Sequence, residues 1–261
     1  MCETVAVLRS EYLMQIRRVG LWVSLILTVG VFFFLLLRTA QVSKAIPSDY
    51  VNQPWKLATL LIEEFNGFAP IAAGILAADR FTRDRLLGMS ELLNSSLPSK
   101  SPLVLGKYLG SVLALFTPPF ILLLGTLAYM AAYFHQPAVF LTAPVVLLAV
   151  VVPSWLFVVA WSLIFPLVMP LRLYQVLFAG FWMWAIVVPP DRLPTINWSL
   201  FGVQGQYAHY AFFINDPTQS QYLHPAATVG WAIINISLLA VLSFVALVLT
   251  PLVLRWQEAA Q

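Results

Sequence analysis

Charge is what this sequence has least of. Of its 261 residues only 10% are Asp, Glu, Lys or Arg, while 61% are hydrophobic, and the mean hydropathy is +0.86. That balance excludes a soluble globular domain and fits a polytopic membrane protein. Cysteine is nearly missing too. Cys2 stands alone, which excludes an intrachain disulfide, and no apolar region precedes it as a lipoprotein signal would require. Arg9, Glu11, Arg17 and Arg18 come before the first apolar run, so a cleavable signal peptide is not expected and the first span is expected to direct its own insertion. No Gly-x-x-x-x-Gly-Lys-Ser/Thr stretch occurs, because Gly106-Lys107 runs on into Tyr108, so this chain is not expected to bind ATP through a phosphate loop. The net charge of +3 does not point to nucleic acid, since the basic residues anchor the loops between apolar runs.

Apolar runs of spanning length are abundant. Residues 20–37, 57–78, 103–134, 138–165, 173–188 and 226–254 predict an all-α protein of six transmembrane helices. Pro118-Pro119 interrupts the third, and Pro144 and Pro153 lie inside the fourth. Ahead of them, residues 3–18 read as an amphipathic helix lying in the membrane interface. Val5, Leu8, Tyr12, Ile16 and Val19 fall on one face, and Ser10, Glu11, Arg17 and Arg18 fall opposite. A plain lead-in to the first span is the alternative. With the N-terminus inside, ten Lys and Arg fall on the cytoplasmic side, against Arg38, Lys44, Lys56 and Arg192 outside, which favours cytoplasmic N- and C-termini. The connection 189–225 is rich in aromatics yet carries only Asp191, Arg192 and Asp216 as charges. It is expected to dip back as short re-entrant helices, with an aromatic belt at headgroup depth as the alternative.

The strongly charged stretch runs from Asp79 to Lys107 and holds five of the fourteen basic residues. Asp79–Leu93 reads as a helix with Leu86, Leu87, Leu92 and Leu93 on its apolar side, ended before Pro98. Its succession of Asp84-Arg85, Gly88, Glu91-Leu92-Leu93, Ser95, Pro98-Ser99 and Gly106-Lys107 resembles the permease subunits of ABC-2 type ABC transporters. Met89 departs from the pattern, because many members place a small residue with Thr or Ser after the glycine. The motif covers about thirty residues, and span number, orientation and the N-terminal helix extend the likeness to residues 1–261 as one transmembrane domain.

The resemblance implies a coupling helix at 79–97 and short helices in 189–225 that cap the outer end of a pathway. It implies a permease subunit of an ATP-driven exporter in the plasma (bacterial inner) membrane. Such a subunit pairs with a second six-span permease, the same chain or a related one, and with two separate P-loop ATPase subunits that bring ATP and Mg. No cofactor and no catalytic residue is expected in this chain. Arg80, Arg83, Asp84, Arg85, Gly88 and Glu91 are expected to face the ATPase. The substrate leans towards hydrophobic or amphipathic molecules, since the residues available to a pathway are apolar and aromatic.

Glu63 and Glu64 are the odd residues. A charge at the centre of a span costs about 3 kcal/mol on insertion scales, so such groups face protein or water. Together with Asn66, Trp155 and Trp182 they are candidates for the substrate pathway. Alternatively both carboxylates sit in the wet interface or pair with Lys56 or Arg38, and the tryptophans are packing residues. The Glu-Glu pair also suggests an intramembrane enzyme of the CAAX-processing type, but Phe68 stands where that pattern has Arg. His135, His209 and His224 fall in or beside outside loops, where they are not expected to meet one buried site, and neither a Gly-x-Ser-Gly stretch nor a metal-ligand spacing occurs. A non-transporting membrane anchor and an ion-driven transporter complete the alternatives, the last disfavoured because no inverted repeat is evident.

Overall fold

The computed structural model describes residues 2–41, 48–86, 88, 100–188, 193, 195–214 and 222–259. Among them the chain is predominantly helical, with no strand beyond one bridge between Ser199 and His224. Helix α1 (Cys2–Ile16) and helix α2 (Val19–Gln41) meet at a bend of 71°. The bend falls at Arg17-Arg18, and the indole of Trp22 donates to the Ile16 carbonyl at 2.7 Å, so a carbonyl that the helix end would leave open is satisfied.

Helix α3 (Pro54–Ala77) starts on a proline, whose missing N–H costs nothing in a first turn. It passes almost without a break into α4 (Arg80–Leu86). The expected continuous helix from Asp79 to Leu93 is corrected at Gly88, whose φ of +67° is a left-handed conformation incompatible with helix propagation. Residues 89–97, including Glu91, lie outside the described residues. Helix α5 (Lys100–Tyr133) carries Pro118 and Pro119 within it. His135 adopts φ +55° in the tight turn that follows.

Helices α6 (Val139–Val146) and α7 (Val152–Val168) form one long element joined by a wide turn at Leu147–Val151, where the bonding slips to i→i+5. Pro144 and Pro153 flank this turn, and prolines disrupt the ordinary α-helical bond pattern. Helix α8 (Leu171–Val187) and helix α9 (Val229–Ala259) complete the bundle.

Four elements are long and apolar enough to cross a membrane: Pro54–Asp84, Lys100–Tyr133, Val139–Val168 and Val229–Gln257. The bent α1–α2 pair raises the number to five if it is one span, and α8 is apolar but, at 17 residues, shorter. Helix α3 is the centre, touching α2, α5, α6, α7 and α8. Of its apolar stretch 61% is buried, against 28% for α9, which places α9 at the edge. Leu57, Leu61, Ile62 and Phe65 are sealed on α3, and Phe65 stacks on Trp155 of α7 at 6.3 Å. Leu141, Val176 and Phe244 are among the large apolar side chains left exposed, as suits a lipid-facing surface.

The segment 195–214 folds back onto the helices in short turns at Ile196–Trp198, Gln206–Ala208 and His209–Ile214. Asparagine side chains hold it there. Asn197 donates to the Ala185 carbonyl at 2.8 Å, Asn66 to that of Gln204 at 3.0 Å, and Asn235 to those of Leu200 and Gly202 at 2.8 and 3.0 Å. Tyr207 is fully buried and its hydroxyl donates to the Pro225 carbonyl.

Candidate functional site

Two polar centres stand near opposite ends of the α3–α4 rod, some seventeen residues or about 25 Å apart at the helical rise. The first joins α1, α4 and α5. Gly106 and Gly110 lie one turn apart on α5 and leave a shallow groove. A Cβ on Gly106 would fall 2.7 Å from Val7 Cβ, and one on Gly110 would fall 2.8 Å from the Leu8 carbonyl oxygen. Small residues at this spacing let helix backbones approach closely. The close approach brings Glu11 over Lys107, Nζ to Oε2 at 3.2 Å, and Lys107 reaches Asp84 Oδ2 at 2.5 Å. Arg80 Nη1 lies 3.7 Å from Glu11 Oε1, and Arg80 Nε lies 3.2 Å from Asp79 Oδ1. Gln15 Nε2 donates both to Glu11 and to Ser111 Oγ, the latter at 2.7 Å. Glu11, Arg80 and Lys107 are each at most 5% exposed. Charges this deep hold only while paired, and removing one partner of such a pair costs about 3–5 kcal/mol.

This arrangement corrects two expectations. The polar side of α1 is divided: Glu11 and Gln15 are buried, whereas Ser10 is exposed, as is Val5 from the apolar side. Helical periodicity separates the faces but does not say which residues are covered, and here α5 supplies Lys107 and Ser111 to receive Glu11 and Gln15. Likewise Arg80 and Asp84 turn inward to the cluster instead of standing free for a partner. Arg83 is exposed and Gly88 is exposed beyond it, the side chain of Arg85 lies outside what is described, and so does Glu91.

The second centre joins α3 to the returning segment. His209 Nε2 lies 2.9 Å from Glu63 Oε2, and the Gln206 side chain also reaches the Glu63 carboxylate. His209 is buried and Glu63 partly so. Of the three histidines it is His209 that reaches one of the two glutamates, a contact not expected from the sequence, and the partner shown for Glu63 is His209. One turn along α3, Asn66 donates to the carbonyls of Gln204 and, at 3.4 Å, of Val150 in the wide turn. Gly205 makes this meeting feasible. Its φ is +76°, and a Cβ there would lie 2.9 Å from Val150 Cγ1. Glu64 makes no hydrogen bond or ion pair with a described residue. Among the described residues no three His, Cys, Asp or Glu side chains gather as a metal site.

The tryptophans take packing places. Trp155 is 2% exposed, stacked on Phe65 and edge-on to Phe116 at 5.1 Å. Trp182 is buried and its indole donates to the Gly67 carbonyl at 2.6 Å, which ties α8 to α3. Trp182 also lines an apolar cleft of about 430 Å³ between α7 and α8, shared with Trp161, Phe165, Tyr174 and Phe178. Their rings form a continuous ladder, with centroids 5.3–5.8 Å apart from Trp161 through to Trp182.

Reading the sequence missed the Glu11–Lys107 and Glu63–His209 pairs. The Gly106-x-x-x-Gly110 spacing was the available signal for the first, and no local signal marks the second. Comparison of the chain with family models, with curated proteins and with solved structures gives no match in any of the three.

Proposed function

We propose that this chain is the six-span permease subunit of an ATP-driven exporter of the ABC-2 type, with both termini cytoplasmic. The six spans comprise the four long apolar helices, the α2 arm of the bent pair, and α8. The observation that supports this most is the clamp of α1, α4 and α5. Its buried ion pairs join the N-terminal helix to the charged end of the second span and the start of the third, so a push on one is delivered to all three. A soluble ATPase that rocks a membrane domain needs such a stiff receiver, and the exposed Arg83 lies at its rim. In this reading ATP closes a pair of partner ATPases, the clamp transmits the motion, and two permeases rock so that substrate leaves outward or into the outer leaflet.

A second reading rests on the Glu63–His209 pair. A carboxylate and an imidazole in hydrogen-bond contact can exchange a proton, as an intramembrane enzyme requires. One experiment separates the two readings. The tagged chain is purified gently from its native membrane and the co-purifying proteins are identified and assayed for ATP hydrolysis. A stoichiometric ATPase carrying a phosphate-binding loop, lost when Arg83 is reversed to Glu, supports the permease. A chain that emerges alone without nucleotide hydrolysis overturns that reading and moves attention to Glu63 and His209.

A further inference from the structure

Beside the α1 clamp lies a cavity of about 260 Å³ with an unusual wall. Arg18, Arg80, Arg83 and Lys107 line it, against the carboxylates of Glu11 and Asp84. Lys107 is already paired with both of those carboxylates. Arg18 and Arg83 have no ion-pair partner among the described residues. Arg80 is the telling group. It is 4% exposed and carries five N–H donors, yet its Nε and Nη1 are buried without a hydrogen-bond partner. Asp79 and Glu11 offset its charge from 3.2 and 3.7 Å without accepting its protons in bonding geometry. Buried donors in native proteins nearly always find an acceptor, and a planar guanidinium flanked by further arginines suits a phosphate.

The rest of the wall says which phosphate. Val7, Met14 and Leu103 give the cavity an apolar side next to its basic one. Of its lining residues, Arg18 stands at the 71° bend between α1 and α2, and Arg83, Asp84, Leu103 and Lys107 lie towards the ends of the apolar elements Pro54–Asp84 and Lys100–Tyr133. A polar head bonded to apolar chains fits both sides at once, whereas a free ion fits only one. Basic pockets between helices at a membrane face bind anionic headgroups by this combination.

We infer that this cavity is a binding site for the phosphate of an anionic phospholipid, with Arg80 as its floor and Arg18 and Arg83 as its rim. A lipid held there completes the hydrogen bonding of Arg80 and pins α1 to the bilayer. The inference does not depend on an ATPase partner, and its test contains no nucleotide.

The whole chain is placed in nanodiscs of phosphatidylcholine alone or with a minority of phosphatidylglycerol. Its apparent melting temperature and its bound lipid, by native mass spectrometry, are then measured. Phosphatidylglycerol is expected to raise the melting temperature and to remain bound. Changing both rim residues, Arg18→Ala with Arg83→Ala, is expected to weaken retention about tenfold. Arg172→Ala removes an exposed charge away from the cavity and is expected to change nothing. Arg80→Lys keeps the charge but loses the fork, and is expected to lose the preference for phosphatidylglycerol. Equal stabilisation by both lipids, or equal losses from Arg172→Ala and the rim pair, would overturn the site. Full stabilisation by inorganic phosphate in discs of phosphatidylcholine would overturn the lipid assignment and give the site to a free anion.

Discussion

Glu11 and Lys107 are 96 positions apart in the chain and meet at 3.2 Å with both side chains buried. Neither has water to fall back on, so each is the condition for the other's burial. Lys107→Ala leaves Glu11 and Asp84 facing each other without their shared cation, and is expected to lower stability by about 3–5 kcal/mol. The paired change Lys107→Met with Glu11→Leu is expected to cost less than the sum of the two single changes, because the contact between them is lost only once, while Asp84 and Arg80 still lose a neighbour. Denaturant unfolding in detergent over a double-mutant cycle measures this. Additive single effects would mean that the two side chains are not coupled.

The groove under α1 yields to a simpler change. Any side chain on Gly110 meets the Leu8 carbonyl, and backbone cannot swing aside as a flexible side chain can. Gly110→Val is therefore expected to lift α1 from α5. Hydrogen exchange should accelerate across residues 2–16 while the central helix α3 keeps its protection. Unchanged exchange over α1 would show that the helix tolerates the bulk by sliding.

How far these contacts can be read from sequence depends on their range. Apolar runs report themselves, because hydropathy is summed within one element, and the long helices fall close to where the runs lie. The double proline at Pro118-Pro119 did not end α5, since a helix with packed neighbours tolerates the lost bonds. Gly106 and Lys107 were visible as residues, but nothing near them names α1 as what they hold. Glu11 looked solvent-facing because periodicity sees polarity and not its partner. His209 was unreadable for a related reason: its place next to Glu63 follows from three asparagines that fold 195–214 back onto α3, α8 and α9, and each of those bonds joins distant stretches of the chain.

Asn66 tests that fold-back directly. Its amide donates to carbonyls from both the returning segment and the wide turn of the α6–α7 element. Asn66→Leu leaves both carbonyls without their donor, and a buried polar group stripped of its partner costs about 1–3 kcal/mol. The loss is expected to be local. Exchange should quicken over residues 195–214, and the α1 clamp at the far end of α3 should stay protected. Equal loosening at both ends would imply that the two centres are mechanically coupled through the rod.

Gly74 and Phe178 give the sharpest steric prediction. A Cβ on Gly74 would lie 2.3 Å from Phe178 Cε1, inside any tolerable contact, and 3.1 Å from Ser162 Oγ. Phe178 is itself held in the ladder between Tyr174 and Trp182, so it cannot turn without disturbing both neighbours. Gly74→Ala is expected to push α8 off α3 and to destabilise by about 1–3 kcal/mol, the range for overpacking a core. The displacement should also lengthen the bond from Trp182 to the Gly67 carbonyl and so shift tryptophan fluorescence. Phe178→Leu in the same chain removes the ring edge and should recover most of the loss, although Phe178→Leu alone is destabilising. A cycle in which the two changes rescue each other places the cost in this one contact. If Phe178→Leu brings no recovery, Ser162 and the bond it shares with Tyr174 at 2.7 Å become the obstacle, and Ser162→Gly is then the variant that should restore the packing.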